Sequence, residues 1–334
     1  MKLKTIFGVV ALLSVFAIIA AAQSPAYRIS APYSHKNLTI FLIHGKDETS
    51  KTNILTLQEA MQRQILRVYE TSDVNELAVE NVSKQFDVFI QSGDIVKGGK
   101  QDRVLAISII IPARSGRIKI DAFCVESGRW QKRGNEDAGQ FSSSNERIVS
   151  KELKLAANGT RSQQEVWAKV SEAQDKLSRS VNAPVTSSAS RSSLQLSLEN
   201  GKVAATAGEY VSKLSSLIEG KPDVIGYAFA VNGEINSADI YVSNALFKKL
   251  WPRMLKAAAV EAVAEHDSRA SAAPLAKPEA IKAFLSDADK GRVEERAASG
   301  STRIVTRDQK DSAVYEARDD KSKTVVHRAY VKKQ

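Results

Sequence analysis

The chain has 334 residues, 43% hydrophobic and 26% charged, with a formal net charge of +10. That balance excludes an intrinsically disordered chain, a collagen and a coiled coil, and it leaves enough apolar side chains for a packed core. The single cysteine, Cys124, excludes a disulfide framework, and four scattered histidines give none of the usual spacings of a structural zinc site.

The first 22 residues carry Lys2 and Lys4, an apolar run from Ile6, and the small residues Ala20, Ala21 and Ala22. This is the pattern of a cleaved secretory signal, because an anchor needs about 20 apolar residues and this run is shorter. The expectation is an exported protein, periplasmic or secreted, with residues 23–334 as one domain and no stable membrane insertion after cleavage.

Downstream, 38–43 reads as an apolar strand. Ile54, Leu57, Ala60, Met61, Ile65 and Leu66 recur at three- and four-residue spacing, which predicts an amphipathic helix over 54–68. The period then shortens and predicts strands over 76–80, 87–91, 103–111 and 117–126, punctuated by Ser92-Gly93, Gly98-Gly99 and a hairpin loop over 112–116. A polar stretch covers 131–145, and helical spacing returns over 163–177 through Val166, Trp167, Val170 and Ala173. Residues 180–193, rich in serine and holding Pro184, read as a flexible connection or a surface insertion. A second amphipathic helix is predicted over 203–218, stopped by Gly220 and Pro222. Strands over 224–231 and 234–242 flank Asn232-Gly233, the strongest hairpin signal in the chain. There follow a helix over 244–265 with Pro252 inside it, a linker over 270–278, a short helix over 278–298, and strands over 302–307, 312–317 and 324–331. The predicted class is α+β, mostly antiparallel sheet with four to five helices. An echo between 89–95 and 229–235, each a strand, a Gly turn, an acid and an apolar residue, leaves an internal duplication open, since two ordinary hairpins give the same pattern.

The densest cluster of chemistry-bearing residues begins at Gly93 and runs to Arg103. It holds three glycines (Gly93, Gly98, Gly99), three cations (Lys97, Lys100, Arg103) and two acids (Asp94, Asp102). Adjacent glycines admit positive φ, so successive N–H groups can converge on an anion while Lys100 and Arg103 supply charge. The spacing is not that of a Walker loop, and a polar loop with internal salt bridges is the alternative. Further on, period two puts Cys124 and Glu126 on one strand face, and Gly128 turns the chain into Arg129 and Trp130. A Trp beside an Arg can stack a planar base and neutralise its phosphate, or can plug the edge of a core. Cys124, among Ala122, Phe123 and Val125, reads as a buried, inert thiol.

Gly93-Asp94, the run Gly98-Gly99-Lys100-Gln101-Asp102-Arg103, and Cys124-Val125-Glu126-Ser127-Gly128-Arg129-Trp130 together resemble the signature of the ARPP domain family. The name stands for ADP-ribosylglycohydrolase (ARG) and rhodanese-phosphatase-superfamily-associated protein. That family's usual pattern has Glu at the place of Asp94, Gly-Ala at Gly98-Gly99, and often Asn at Asp102. The resemblance continues at Trp167, at 229–235, at Leu250-Trp251-Pro252-Arg253 and at His327-Arg328-Ala329-Tyr330, so it spans nearly all of the chain after the leader. It implies a role in conflict or signalling systems linked to ADP-ribose.

Both lines lead to an expected site for a small anionic, nucleotide-like metabolite. Gly93, Gly98 and Gly99 would shape its backbone, Lys100, Arg103 and Arg129 would hold anionic groups, and Trp130 would stack a base. Gln101 and Asp102 belong to the same set, and His327 and Arg328 would reach it from the last strand. Asp94 and Glu126 would be general acid and base if the protein is a hydrolase. The alternatives are a buried polar network in which Gln101, Asp102, Arg103 and Glu126 satisfy one another, and an envelope interaction protein with no small-molecule site. No metal or other cofactor is expected. The positive charge is dispersed, without a basic helix or an aromatic-spaced stripe, which argues against nucleic acid as a partner.

Overall fold

A computed structural model describes residues 27–49, 53–71, 73–129, 133, 139–148, 150–266, 274–298 and 301–333. In chain order the strands are β1 Arg28–Ile29, β2 Tyr33–His35, β3 Leu38–His44, β4 Ile54–Thr56, β5 Leu66–Glu70, β6 Glu76–Asn81, β7 Asp87–Ile90, β8 Asp94–Gly98 and β9 Arg103–Leu105. They continue as β10 Ile109–Ile111, β11 Arg117–Cys124, β12 Phe141–Arg147, β13 Val224–Val231, β14 Glu234–Tyr241, β15 Arg292–Ala297, β16 Thr302–Asp308, β17 Ser312–Asp319 and β18 Val325–Lys332. The helices are α1 Leu57–Gln62, α2 Lys151–Leu155, α3 Gln163–Ser180, α4 Leu194–Leu198, α5 Gly201–Leu214, α6 Asn244–Ala264 and α7 Pro278–Ala288.

Three sheets carry these strands. The largest runs β1-β3-β13-β14-β18-β17-β16-β15, with β2 also on β3, and every pairing in it is antiparallel. A second, β10-β7-β4, contains one parallel pair, β4 with β7. The third runs β12-β8-β9-β11-β6-β5. The protein is α+β, as the alternation of periods predicts.

The large sheet is covered on both faces at its centre, and the sequence of β3 shows why. Leu38, Ile40 and Leu42 point to one face and join Leu250, Trp251, Met254 and Leu255 of α6 in the main core. Phe41 and Ile43 point to the other face and meet Ile281, Phe284 and Leu285 of α7. A strand buried on both faces reads as a near-continuous apolar run, and β3 and β13, buried at every position, do so apart from Thr39 and His44 of β3. Each fully buried Leu, Ile or Phe contributes about 1.5–3 kcal/mol. Asn232 and Gly233, at φ 53° and 82°, join β13 to β14 in the tight turn that the dipeptide predicts.

The structure departs from the sequence expectation in several places. Residues 54–68 are strand, short helix and strand rather than one helix. Thr56 and Glu59 form a reciprocal capping box, so the helix begins only at Leu57 and leaves Ile54–Thr56 to pair with β7. Gln64, at φ 57°, then ends it. The expected strand over 103–111 is split between two sheets, with Ala106, Ile107 and Ser108 carrying the chain across. The helix expected over 278–298 stops at Ala288, and Arg292–Ala297 becomes the charged edge strand of the large sheet. The helix number exceeds the expected four to five because α2 and α4, five residues each, are too short for apolar periodicity to register.

The serine-rich stretch 180–193 is bound into the fold, with Val185 in its first half and Ser193 at its end both buried. The two segments of the internal echo have different surroundings. Around 229–235 the chain forms the β13–β14 hairpin, whereas Gln91, Ser92 and Gly93 carry it from the three-stranded sheet to the six-stranded one. The leader 1–22, Trp130, and 270–273 of the expected linker lie outside the described residues. Among the described residues no helix is long and apolar enough to cross a membrane.

Candidate functional site

Gly93, Gly98 and Gly99 do take positive φ, at 91°, 103° and 55°. Their N–H groups, however, are already used within the chain. Gly93 donates to the Leu105 carbonyl at 2.8 Å and Gly99 to the Gln140 carbonyl at 3.1 Å. Gly98 donates to Asp102 Oδ1 at 3.1 Å, and the Lys100 N–H to Glu70 Oε1 at 3.0 Å. Four residues of this segment form strand β8 rather than loop together with Gly98.

The motif residues Gln101, Asp102, Glu126 and Arg129 meet in one buried network. Asp102 and Glu126 are fully buried, and the Asp102 N–H donates to Glu126 Oε2 at 3.1 Å. Arg129 Nε donates to Glu126 Oε2 at 2.7 Å, and its Nη2 to the Gly98 carbonyl at 3.2 Å. Arg133 grips Asp102 through Nη1 at 2.7 Å and Nη2 at 3.2 Å, while Ser193 Oγ donates to Oδ2 at 3.0 Å. Gln101 Nε2 donates to the Glu126 carbonyl at 3.0 Å. Arg103, fully buried nearby, donates to Cys124 Sγ, to the Val74 carbonyl at 2.6 Å and to Glu70 at 3.1 Å. Burial raises the Cys124 thiol above its ordinary value against the charge of Arg103, which keeps it protonated and unreactive.

Asp94 lies in a second cluster, between Arg147 and Arg253. Arg253 Nη1 reaches it at 3.0 Å, Arg147 forms the closer ion pair, and the Gln91 N–H donates to Oδ2 at 3.0 Å. Asp94 and Glu126 therefore sit in separate networks, each saturated by arginine. Arg328, on β18, faces away from its neighbour His327 and donates to Glu316 Oε2 at 2.7 Å.

Among the described residues, His327 is the one expected site residue that lines a cleft against the large sheet. This cleft lies between the large sheet, the β7–β8 and β9–β10 connections, and the segment after α2. Its walls leave about 60 Å³ in which the centre of a water-sized group fits, and about 840 Å³ of space when the open mouth is counted. At roughly 15 Å³ per water on the first measure, the interior takes about four waters or one acetyl- or phosphate-sized group.

Four cations line it, Arg147, Lys154, Arg161 and Arg296, against Asp121 and Asp239. Glu316 also borders it but is matched by Arg307, Arg318 and Arg328. Asp121 bridges Arg161 and Arg296, at 2.9 Å each, where both arginines are partly exposed (46% and 40%). Lys154 donates to Ser237 Oγ at 3.3 Å and lies over the Phe229 ring; no carboxylate among the described residues is within ion-pair distance of it. A π-helical turn, Ala156–Thr160, delivers this edge of the cleft, and Arg161 closes it at φ 54°. A left-handed non-glycine residue costs about 1–2 kcal/mol, here offset by the Asp121 bridge and the Arg161 N–H bond to the Ala156 carbonyl at 3.0 Å.

At the cleft floor β14 and β18 pair with Tyr241 opposite His327 and Asp239 opposite Ala329. The imidazole therefore lies diagonal to the Asp239 carboxylate, with Nε2 2.9 Å from Oδ1. Its other nitrogen, Nδ1, is 2.9 Å from Ser108 Oγ. Tyr241 stacks on the ring at 4.8 Å and Phe89 meets it edge-on at 5.9 Å. Burial alone would raise the Asp239 carboxyl, but the His327 hydrogen bond, with the charges of Lys154 and Arg147, brings it below the usual carboxylate value.

Arg147, Lys154, Arg161 and Arg296 were not among the residues expected from sequence. Arg147, Lys154 and Arg161 follow one another from the end of β12 through α2 to the turn after it, and Arg296 comes from β15, so the fold brings the distant Arg296 to the other three. Among the described residues no group of three or more His, Cys, Asp or Glu is placed to hold a metal ion.

A family model, the ARG and Rhodanese-Phosphatase-superfamily-associated Protein domain (ARPP-1), matches residues 26–331. No curated protein and no solved structure matches the chain.

Proposed function

The chain belongs to the ARPP-1 family, and from that premise we propose that it binds a small anionic metabolite in the cleft above His327. The observation that supports this reading is the cationic cleft wall, four cations against three carboxylates, with no carboxylate among the described residues at ion-pair distance from Lys154. A partly enclosed site strengthens such charge, because water screens it less than at an open surface. The interior admits one compact group, so a nucleotide or ADP-ribose would insert a single phosphate or hydroxyl-bearing end and leave the rest in the mouth. The expected leader, residues 1–22, extends the proposal to a ligand met outside the cytoplasm.

The expected glycine-motif site contributes indirectly. Asp94, at its start, holds Arg147, whose guanidinium borders the cleft. Asp94 and Glu126 themselves do not line it.

The test is a thermal-shift and calorimetric titration with inorganic phosphate, acetate and ADP-ribose. A ligand at 100 times its dissociation constant should add about 2.7 kcal/mol of stability. Lys154→Met should weaken binding about tenfold and flatten its salt dependence, while changing stability by less than about 0.5 kcal/mol. Anion affinity that is indifferent to Lys154→Met and Arg161→Ala together would remove the reading.

A further inference from the structure

We propose that Ser108, His327 and Asp239 form a serine-hydrolase constellation acting on short-chain carboxylic esters that carry an anionic group. The substrate class rests on the anion-binding reading of the same cleft; the nucleophile does not.

The hydrogen-bond directions are determined by elementary donor–acceptor chemistry. An ionised carboxylate only accepts, so His327 Nε2, 2.9 Å from Asp239 Oδ1, carries the proton. In the neutral ring Nδ1 then presents a lone pair, and Ser108 Oγ stands 2.9 Å from it. The Ser92 N–H donates to the same Oγ at 3.0 Å, which occupies one oxygen lone pair and leaves the hydroxyl proton directed at Nδ1. A nucleophile, a base within reach of its proton, and a third group that fixes the base are the parts that activated-serine chemistry requires. Here the ring is used with its nitrogens exchanged relative to the familiar serine proteases. The chemistry asks only for a basic nitrogen at the hydroxyl and an acceptor at the other nitrogen.

Orientation is enforced by packing. His327 is buried between the stacked Tyr241 and the edge of Phe89. Gln91 Nε2 holds the Tyr241 hydroxyl at 2.8 Å. Ser108 comes from the short crossing between β9 and β10, so its position is set by strands in two different sheets. All three residues line the cleft.

The reaction balances with water as the only co-reactant. Ser108 Oγ bonds to the ester carbonyl carbon as its proton passes to His327 Nδ1. The carbonyl π electrons move to oxygen, where the charges of Arg147 and Lys154 stabilise the oxyanion. The oxyanion collapses, the C–O bond to the alcohol breaks, and that alcohol leaves with the proton from Nδ1. Water then adds to the acyl-serine, giving its proton to Nδ1; the acid departs and Ser108 recovers its hydrogen. Asp239 is a positioning residue that also stabilises the imidazolium. An acetyl-sized acyl group fits the interior, and Arg161 and Arg296 stand at the exposed rim for an anion on the alcohol.

The experiment treats the full chain with a fluorophosphonate, which a reactive serine displaces at phosphorus with loss of fluoride, and locates the adduct by peptide mass spectrometry. In parallel, hydrolysis of 4-acetoxybenzoate is compared with that of neutral phenyl acetate. The expected result is an adduct on Ser108 and saturable hydrolysis, with kcat/KM at least tenfold higher for the anionic ester. Ser108→Ala should abolish both signals. Asp239→Asn should lower kcat by about 10³–10⁴-fold with KM changed less than threefold and with the urea unfolding midpoint showing the variant folded under assay conditions, which separates lost positioning from lost folded enzyme. Absence of a Ser108 adduct on the wild-type chain, or hydrolysis that survives Ser108→Ala, overturns the proposal without reference to any variant's folding or to anion binding. If Ser108 is labelled and both esters are cleaved equally, the nucleophile stands and the anionic substrate class falls. If phosphate or ADP-ribose binds while Ser108 stays inert, the binding reading stands and the hydrolase proposal fails.

Discussion

The Asp102 carboxylate accepts the backbone N–H of Gly98 at 3.1 Å, the donor that a glycine-rich segment would otherwise turn toward a bound anion. The chain supplies the anion itself. Arg133 then neutralises Asp102, Arg129 neutralises Glu126, and the Asp102 N–H donates to Glu126. The result is a closed set of charged hydrogen bonds with side-chain exposures of 9% or less.

Opening that set should be costly. Glu126→Gln keeps the shape but removes the charge that Arg129 and Arg133 face, and breaking a buried pair costs about 3–5 kcal/mol. Urea unfolding at constant ionic strength should show a loss of this size, with anion affinity of the folded fraction unchanged. A loss below about 1 kcal/mol would mean that the network is not structural.

Two glycines give a matched contrast. Gly99 has φ 55°, and an added Cβ would be driven into the Phe141 ring. Gly99→Ala should therefore destabilise by at least about 1–2 kcal/mol. Gly208, inside α5, has nothing within 4 Å of an added Cβ. Gly208→Ala should stabilise by about 0.5–1 kcal/mol through helix propensity. Denaturant midpoints of the two variants should move in opposite directions.

Acid should unfold the protein partly through Glu316. Burial alone would raise this carboxyl, but the charges of Arg328 and Arg307, with Arg318 hydrogen-bonded to it, bring it below its ordinary value. A depressed folded pKa means that the unfolded chain binds more protons as pH falls. The stabilisation is present above the unfolded value of about 4.3 and is lost as pH drops through the folded one. Glu316→Gln should lower stability at pH 7 and make the acid limb below about pH 4.3 shallower. Unchanged steepness of that limb in a pH series of urea midpoints would exclude Glu316 as a contributor.

Much of the architecture was legible along the chain. The apolar runs of β3 and β13, the Asn232-Gly233 turn and the long helices α3, α5 and α6 are local patterns, because periodicity and turn chemistry act over a few residues. The boundaries failed where two periods fit the same residues, as with Ile54 and Leu66, and strand pairing decided between them.

The sequence by itself determined the α+β class, the family signature and the positive-φ glycines. Charged residues packed between Gly93 and Arg129 announced an electrostatic centre, but composition cannot tell an anion's cradle from a carboxylate's. Only the tertiary structure decided that Asp102, Glu70 and Glu126 occupy those donors. It also decided that Arg147, Lys154, Arg161 and Arg296 meet Ser108, Asp239 and His327 around one cleft. The reason is physical: those side chains lie up to 219 residues apart, and strand register across the large sheet, invisible to any local period, sets which of them face each other.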